Sequence, residues 1–474
     1  MSKNLMPNKN ILLVIENGFV ARTLLRSGFL QLIKREFAKV VVLVPGPKLE
    51  YYKNCYEKDN IIFDKMAETK DFWLTQKFLS LLRFSIPARE ARIRLMRDLF
   101  PPEGFKLNSW VFFIWPVMVS WYLSRYKFWR RFLRMIYSLI KPDKKCLQIL
   151  KKHQIDIVYA NYTPPYGKNF NLKLFKAARS LNILTIGNIA SWDQLYSKVF
   201  ITEYTDFLTV HNKIIKKEAI RLGDFKEDII RITGIPHFDF YFRKELILPR
   251  KKFFQQIGGD PAKKLIVFAG CLKALKINYE YFFDYFNEIT QNGLLENSQF
   301  YLRPHPKDFF NERLVEKYKN NPHLIFPKIT KSSFAEGNYF ELPEGDEQFL
   351  LNLLYYADIL IAFQSTIILE AALMNTPIVI AAYFGRSNNS YYYKADRGFE
   401  KEHLQQIFKR NFCRIAKNNG ELLGYLKTYL ANPTLDKEDR EGIVKEQLYL
   451  TNGKAAANLA KTITDIAKRR YELF

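Results

Sequence analysis

The chain has 474 residues and a mass of 56.1 kDa, which at roughly 100–200 residues per domain implies two or three domains, each able to build its own core. Hydrophobic residues make up 48%, aromatics 16% and charged residues 26%, a composition that excludes disordered, collagenous and low-complexity chains. Lysine and arginine number 73 against 48 acids, a formal net charge of +25, and such an excess favours phosphate-bearing partners: nucleic acid, anionic lipid or nucleotide-linked substrates.

The first segment, MSKNLMPNKNILLVIENG, carries no apolar signal core. Instead Ile11–Ile15 predicts a buried strand, Glu16-Asn17-Gly18 a turn, Phe19–Phe37 a helix, and Lys39–Pro45 a second strand. That is a βαβ unit, and ligands gather at the carboxyl ends of its strands. From about 73 to 145 the pattern turns helical and basic. Fifteen Lys/Arg face four Asp/Glu between Lys77 and Lys145. The uncharged run Ser109–Leu123, broken by Pro116, is too short to span a bilayer, which takes roughly 20 residues. Trp110, Trp115, Trp121 and Trp129 lie beside Arg125, Lys127, Arg130, Arg131 and Arg134. This combination reads either as a membrane-surface docking element or as a buried helical hairpin with a solvated basic face.

The α/β pattern then resumes. Strands are expected at Ile155–Ala160, Ile183–Gly187, Thr205–Val210 and Arg231–Gly234, and helices at Phe170–Leu181 and Lys213–Leu222. The proline- and glycine-containing stretch 235–262 reads as a linker. A second unit begins with the strand and turn Lys264–Gly270. Its further strands are Gln299–Arg303, Ile359–Phe363 and Pro377–Ala382, and the stretch from Glu421 onward is helical. The expected boundaries are therefore an N-terminal α/β domain over 1–234, a linker over 235–262, a second α/β domain over 263–430, and terminal helices over 431–474.

Two local patterns carry chemistry. In Phe363-Gln364-Ser365-Thr366-Ile-Ile-Leu-Glu370 a buried strand runs into a helix start, where free amides and hydroxyls suit phosphate and a carboxylate one turn on suits ribose hydroxyls. A plain helix cap with a solvated glutamate explains the same pattern. In Arg303-Pro304-His305-Pro306 a forked cation and a histidine pinned between prolines end a strand. Gly270 ends the neighbouring strand. Tyr391–Tyr393, after Asn388–Ser390, reads as a loop with polar aromatics for a base or sugar, or as surface packing. The four cysteines are far apart and read as reduced thiols of a cytoplasmic chain. No metal-binding spacing occurs.

Thr233-Gly234, Arg303-Pro-His-Pro306 and Ser365-Thr-Ile-Ile-Leu-Glu370, in this two-half layout, resemble GT-B glycosyltransferases of bacterial surface-polysaccharide biosynthesis, and the CDP-glycerol glycerophosphotransferase and capsule-transferase groups in particular. Ser191-Trp192-Asp193-Gln194-Leu-Tyr-Ser-Lys198 resembles an S-W-D-N-L-x-S-K segment of related chains, with Gln194 in place of Asn. The resemblance implies two Rossmann-like domains facing across a cleft, a nucleotide-sugar donor, a glycan or lipid-linked acceptor, no cofactor and no metal. It also implies a bacterial enzyme, cytoplasmic or peripheral on the inner face of the membrane. Donor binding then falls to Gly270, Arg303, His305, Gln364, Ser365, Thr366 and Glu370. The phosphotransferase group has a catalytic His in an H-G-T-like loop, where this chain has Asn161-Tyr-Thr and Asn188-Ile-Ala. The candidate catalytic groups are therefore Asp193, Glu16 and His305, with Asn17, Gly18 and Trp192 on the acceptor side. A UDP-sugar 2-epimerase, a CDP-polyol phosphotransferase, and a non-enzymatic protein binding membrane or nucleic acid remain the alternatives. Nucleic acid is disfavoured, because the basic excess concentrates in one Trp-rich insertion.

Overall fold

The computed structural model describes residues 6–69, 71, 73–99, 117–163, 169–271, 277–305, 310–327, 343–385 and 399–471. Most of the run Ser109–Leu123, Pro306 and the Tyr391–Tyr393 loop lie outside the described residues. The chain divides into two compact units. The first comprises Met1–Asp239 and Leu448–Phe474, the second Phe240–Gln447.

The first unit is built on a seven-stranded parallel sheet. Its strands are β1 (Met6–Val14), β2 (Phe37–Val44), β3 (Ile61–Lys65), β4 (Ile157–Asn161), β5 (Leu184–Ile189), β6 (Phe207–Val210) and β7 (Ile230–Ile232), in the order β3-β2-β1-β4-β5-β6-β7. The strand order reverses between β1 and β4, the position where such sheets bind ligands. The near-continuous apolar runs follow from burial on both faces. Leu12 and Val14 pack on one side with the helices Phe170–Ser180 and Lys213–Gly223. Ile11, Leu13 and Ile15 pack on the other with the helix Phe29–Ile33 and the closing helix Ala455–Tyr471. The insertion between β3 and β4 is helical, with helices at Trp73–Leu82, Arg89–Leu99, Lys127–Ser138 and Lys144–Lys152.

The second unit repeats the design with six parallel strands in the order β10-β9-β8-β11-β12-β13. They are β8 (Lys264–Ala269), β9 (Ser298–Arg303), β10 (Leu324–Ile325), β11 (Ile359–Ala362), β12 (Ile378–Ala381) and β13 (Arg414–Ala416). One face is an aromatic layer. Phe282, Phe283 and Phe286 from the helix Tyr279–Gln291 meet Phe268, with ring centroids 5.3–6.0 Å apart.

Several expected elements differ. The first helix, expected unbroken from Phe19, is a turn at Gly18–Ala21, a π-helical stretch at Arg22–Arg26, and then Phe29–Ile33 after Gly28 in the left-handed region (φ 92°). The stretch expected as a linker holds the helix Arg250–Ile257, whose Phe253 and Phe254 are fully buried in the second unit. Gly258 (φ 76°) caps that helix in the left-handed conformation and so marks its end. The expected terminal helices are shared between the units. Asn419–Ala431 and Lys437–Leu448 go with the second unit, apart from residue 448, and Ala455–Tyr471 returns to the first.

Candidate active site

In the first unit Glu16 stands just past the end of β1 and is half-buried. The Asn171 amide donates to one of its carboxylate oxygens, and Asn161 Nδ2 lies 3.4 Å from the other. Asn171 also donates to the Asn161 carbonyl (2.9 Å). The Asn188 amide donates to Asn161 Oδ1 (2.7 Å), and the Thr209 hydroxyl to Asn188 Oδ1 (2.9 Å). These residues occupy the carboxyl ends of β1, β4 and β5, the start of the following helix, and β6. Burial pushes Glu16 up to about 7, despite a backbone hydrogen bond and the two amides pulling it down. A carboxyl poised near neutral pH can take or give a proton.

Asp193 is held differently. Ser191 Oγ donates to it (2.6 Å), and Lys198 Nζ lies 2.7 Å from its other oxygen. Trp192 beside it is half-buried. Asn17, the expected acceptor-side residue, accepts the Phe19 and Val20 amides with its side chain (3.0 and 3.3 Å) and caps the first turn that Gly18 opens.

Two histidines escaped the sequence reading. His211 directly follows β6 and is buried, and burial pushes it down to about 4. His237 is held well below its ordinary value, first by burial and then by Arg22 and His211 nearby. Its Nδ1 lies 3.3 Å from Thr23 Oγ1. Both rings are therefore neutral at pH 7. A histidine immediately after an apolar strand, as in Val210-His211, was the available signal.

In the second unit three of the expected groups meet at the carboxyl ends of β8 and β9. The Gly270 amide donates to the Arg303 carbonyl (2.8 Å), and a Cβ on Gly270 would lie 3.2 Å from that oxygen and 3.4 Å from the His305 nitrogen. Only glycine permits this approach without displacement. Arg303 is paired with Asp346, its Nη2 lying 3.0 and 3.3 Å from the two oxygens. Burial disfavours its charge, but Asp346, then Tyr301 and Glu370, outweigh that and raise its pKa. An open cavity of ≈ 960 Å³ borders Arg303, His305, Asp346 and Phe349.

Ser365 and Gln364 are half-buried and Thr366 is exposed. Ser365-Thr366 reads in the sequence as a Ser/Thr helix cap, and Thr366 is the residue at the cap position. Its backbone is already helical (φ −62°, ψ −23°) and the side chain makes no capping bond to the helix Ile367–Leu373. Glu370 is 5% exposed, which removes the reading of a solvated helix glutamate.

The model of the CDP-glycerol:poly(glycerophosphate) glycerophosphotransferase family matches residues 194–465. A processive diacylglycerol beta-glucosyltransferase of Bacillus licheniformis is 25% identical over 135 residues, which is 28% of this chain and only 32% of the relative's length. The UDP-GlcNAc 2-epimerase of Neisseria meningitidis, solved bound to UDP-GlcNAc, is similar in structure. Its TM-score is 0.56 at 9% identity, over 96% of this chain and all of that one. The wall teichoic acid polymerase TagF aligns over 99% of this chain and 91% of its own, with a TM-score of 0.51 at 12% identity. At such identities the likeness is one of fold, two Rossmann-like units of the GT-B type. The family match covers more than half of the chain, including the whole second unit with Gly270, Arg303, His305 and Glu370. The chain therefore belongs to the CDP-glycerol:poly(glycerophosphate) glycerophosphotransferase family, a family of transferases.

Proposed function

We propose that this chain takes a group from a nucleotide-activated donor and passes it to a hydroxyl of a surface-glycan or lipid-linked acceptor, working at the cytoplasmic face of the membrane. The observation that carries this reading is the juxtaposition of Gly270, Arg303 and His305, inside the part of the chain that the family model matches. Rossmann-like sheets bind nucleotides at the ends of their central strands, and β8 and β11 are the two central strands here. In the proposed complex the donor diphosphate meets His305, the Arg303 charge shared with Asp346, and the amides around Ser365. Glu370, within the electrostatic reach of Arg303, faces the ribose. Phosphate charge is met by these groups, with no resident metal in the proposal. Glu16 is the group that removes the acceptor proton, since its proton affinity lies near neutrality.

The moved group is a sugar in the first reading. The family description favours a second, glycerol phosphate from a CDP-linked donor. The two break different bonds, so the released nucleotide separates them. Sugar transfer leaves a nucleoside diphosphate, and glycerol phosphate transfer leaves CMP. The purified chain should first be screened against CDP-glycerol and a panel of nucleotide sugars by thermal shift, because a bound donor raises the melting temperature. Donors that bind are then incubated with a lipid-linked acceptor extract, with and without EDTA, and the nucleotides are separated. Release of either nucleotide only with acceptor, and equally with EDTA, is the expected result. Conversion of a UDP-sugar without acceptor would instead make the chain an epimerase, and no stabilisation by any donor would overturn the proposal.

A further inference from the structure

Two of the chain's six histidines stand together in an arrangement that packing does not explain. His153 and His323 are held by ordinary partners, Asp64 and the Ser298 carbonyl, each 2.8 Å from a ring nitrogen. His211 follows β6 directly and is only 8% exposed, yet among the described residues its ring makes no hydrogen bond. Its backbone is fixed, since the Gly234 amide donates to the His211 carbonyl (3.1 Å). His237, on the short helical stretch Pro236–Phe242 beyond β7, lies close enough to His211 and Arg22 that both act on its charge. Thr23 Oγ1 stands 3.3 Å from His237 Nδ1. Arg22 and Thr23 belong to the π-helical stretch that follows β1. The chain beyond the carboxyl ends of β1, β6 and β7 thus brings a guanidinium, two imidazoles and a hydroxyl to one place, at the edge where parallel sheets bind ligands.

A buried polar ring normally has a hydrogen-bond partner, because an unmet donor or acceptor costs free energy. His211 therefore points to a ligand that completes it, and the neighbouring groups say of what kind. The charge of Arg22 opposes a cation, and among the described residues no three His, Cys, Asp or Glu side chains come together to hold one. An uncharged hydroxyl could meet the imidazoles but gains nothing from the guanidinium beside them. A phosphate group suits all four side chains. The guanidinium forks onto two of its oxygens, each neutral imidazole donates one N–H, and the threonine donates its hydroxyl. Among the described residues no carboxylate acts on either ring to compete for those donors. We propose that Arg22, Thr23, His211 and His237 form a binding site for a phosphate ester on the first unit. The donor diphosphate is assigned above to the second unit, so the phosphate held here is the acceptor's. That assignment to the acceptor rests on the proposed function, and the site itself does not.

The histidine signals report on the site directly. The full chain, labelled with carbon-13 at histidine Cε1, is titrated with glycerol 3-phosphate, with glycerol as the uncharged control and with CDP as a fragment of a donor. His211→Gln and His237→Gln assign the two resonances. Glycerol 3-phosphate should shift both, and glycerol should shift neither. Arg22→Gln, at a half-buried position, should keep the wild-type melting temperature and bind glycerol 3-phosphate at least about tenfold more weakly. Arg22→Lys keeps the charge without the fork and should fall between that variant and the wild type. Two resonances that stay in place with glycerol 3-phosphate overturn the site, as does equal affinity in the wild type and both Arg22 variants. Shifts with CDP but not with glycerol 3-phosphate would give the site to the donor and overturn its assignment to the acceptor. Intact shifts with glycerol 3-phosphate in a chain that no donor stabilises would uphold the site and strike only the donor chemistry.

Discussion

Glu16 titrates near neutrality because burial withdraws water from its carboxylate faster than its amide neighbours replace it. The folded protein keeps this proton to about 7, against an ordinary value of 4.5, so between these values the native state binds more protons than the unfolded chain. Stability contributed by this site must therefore fall as pH rises through that window and level off above it. At roughly 1.4 kcal/mol per tenfold in proton affinity, the loss reaches at most about 3 kcal/mol. His211, pushed down to about 4, and His237 act in the opposite direction over part of the range. The wild-type curve alone thus mixes them, and the difference between Glu16→Gln and wild type isolates the glutamate. Urea midpoints measured from pH 5 to pH 8 should show that difference growing in favour of the variant. Parallel curves would return Glu16 to an ordinary turn carboxylate. The place of Glu16 at a strand end was legible in the chain itself. Its environment was not, because Asn161 and Asn171, which hold it, lie 145 and 155 residues further on. Arg303 shows the same limit, since its partner Asp346 is 43 residues away.

At the scale of the element, periodicity reveals a helix and its two faces but not which face turns inward. The helix Lys127–Ser138 illustrates this, because counting its arginines as free charge inverts its orientation. The deciding residue is Asp224, distant in sequence, which sits in the left-handed region (φ 56°) at the end of the helix Lys213–Gly223. Burial acts against its charge, yet Arg130 and Arg134 outweigh burial and hold it below its ordinary value. Its contribution is thus present at neutral pH and is lost as pH falls through the acid range. Asp224→Asn keeps a side chain that tolerates positive φ but strands Arg130, which is only 2% exposed, without a counter-charge. The expected cost is about 3–5 kcal/mol, against less than about 0.5 kcal/mol for Arg131→Ala on the exposed side. Equal urea midpoints for the two variants would show that the inward arginines are not what orients the helix. The strands β3 and β13 were missed for another reason. They are five and three residues long, and β13 has only Ile415 and Ala416 as apolar signal, so the sheet defines these strands more than their own residues do.

At the scale of the whole molecule, the chain leaves the first unit after Asp239 and returns to it at Leu448. The sequence marked the end of the chain as helical and could not say which core it completes, since an amphipathic pattern records that a face is buried but not against what. The return is specific. The closing helix Ala455–Tyr471 inserts Leu459, Ile463 and Ile466 into the core beneath β1. The Asp239 carboxylate accepts the Ala455 and Ala456 amides (2.9 and 2.7 Å), so the last residue of the outgoing chain caps the helix of the incoming one. Gly234 (φ 78°) allows the same crossing, its Cα facing Leu450 and Ala455 where a Cβ would lie 3.0–3.2 Å from their side chains. Burying three such side chains contributes roughly 1.5–3 kcal/mol each, a sum comparable with the 5–15 kcal/mol that typically holds a folded protein. A chain ending at residue 447 should therefore lose the folded first unit while the second, with its own aromatic core, stays folded. Far-UV circular dichroism would show partial loss of structure, and urea would show one remaining transition with a reduced slope, because less surface is exposed on unfolding. Asp239→Ala in the full chain should cost only about 1–2 kcal/mol, since it removes the cap and leaves the packing. A truncated chain with the wild-type midpoint and slope would mean that the first unit closes without its returning helix.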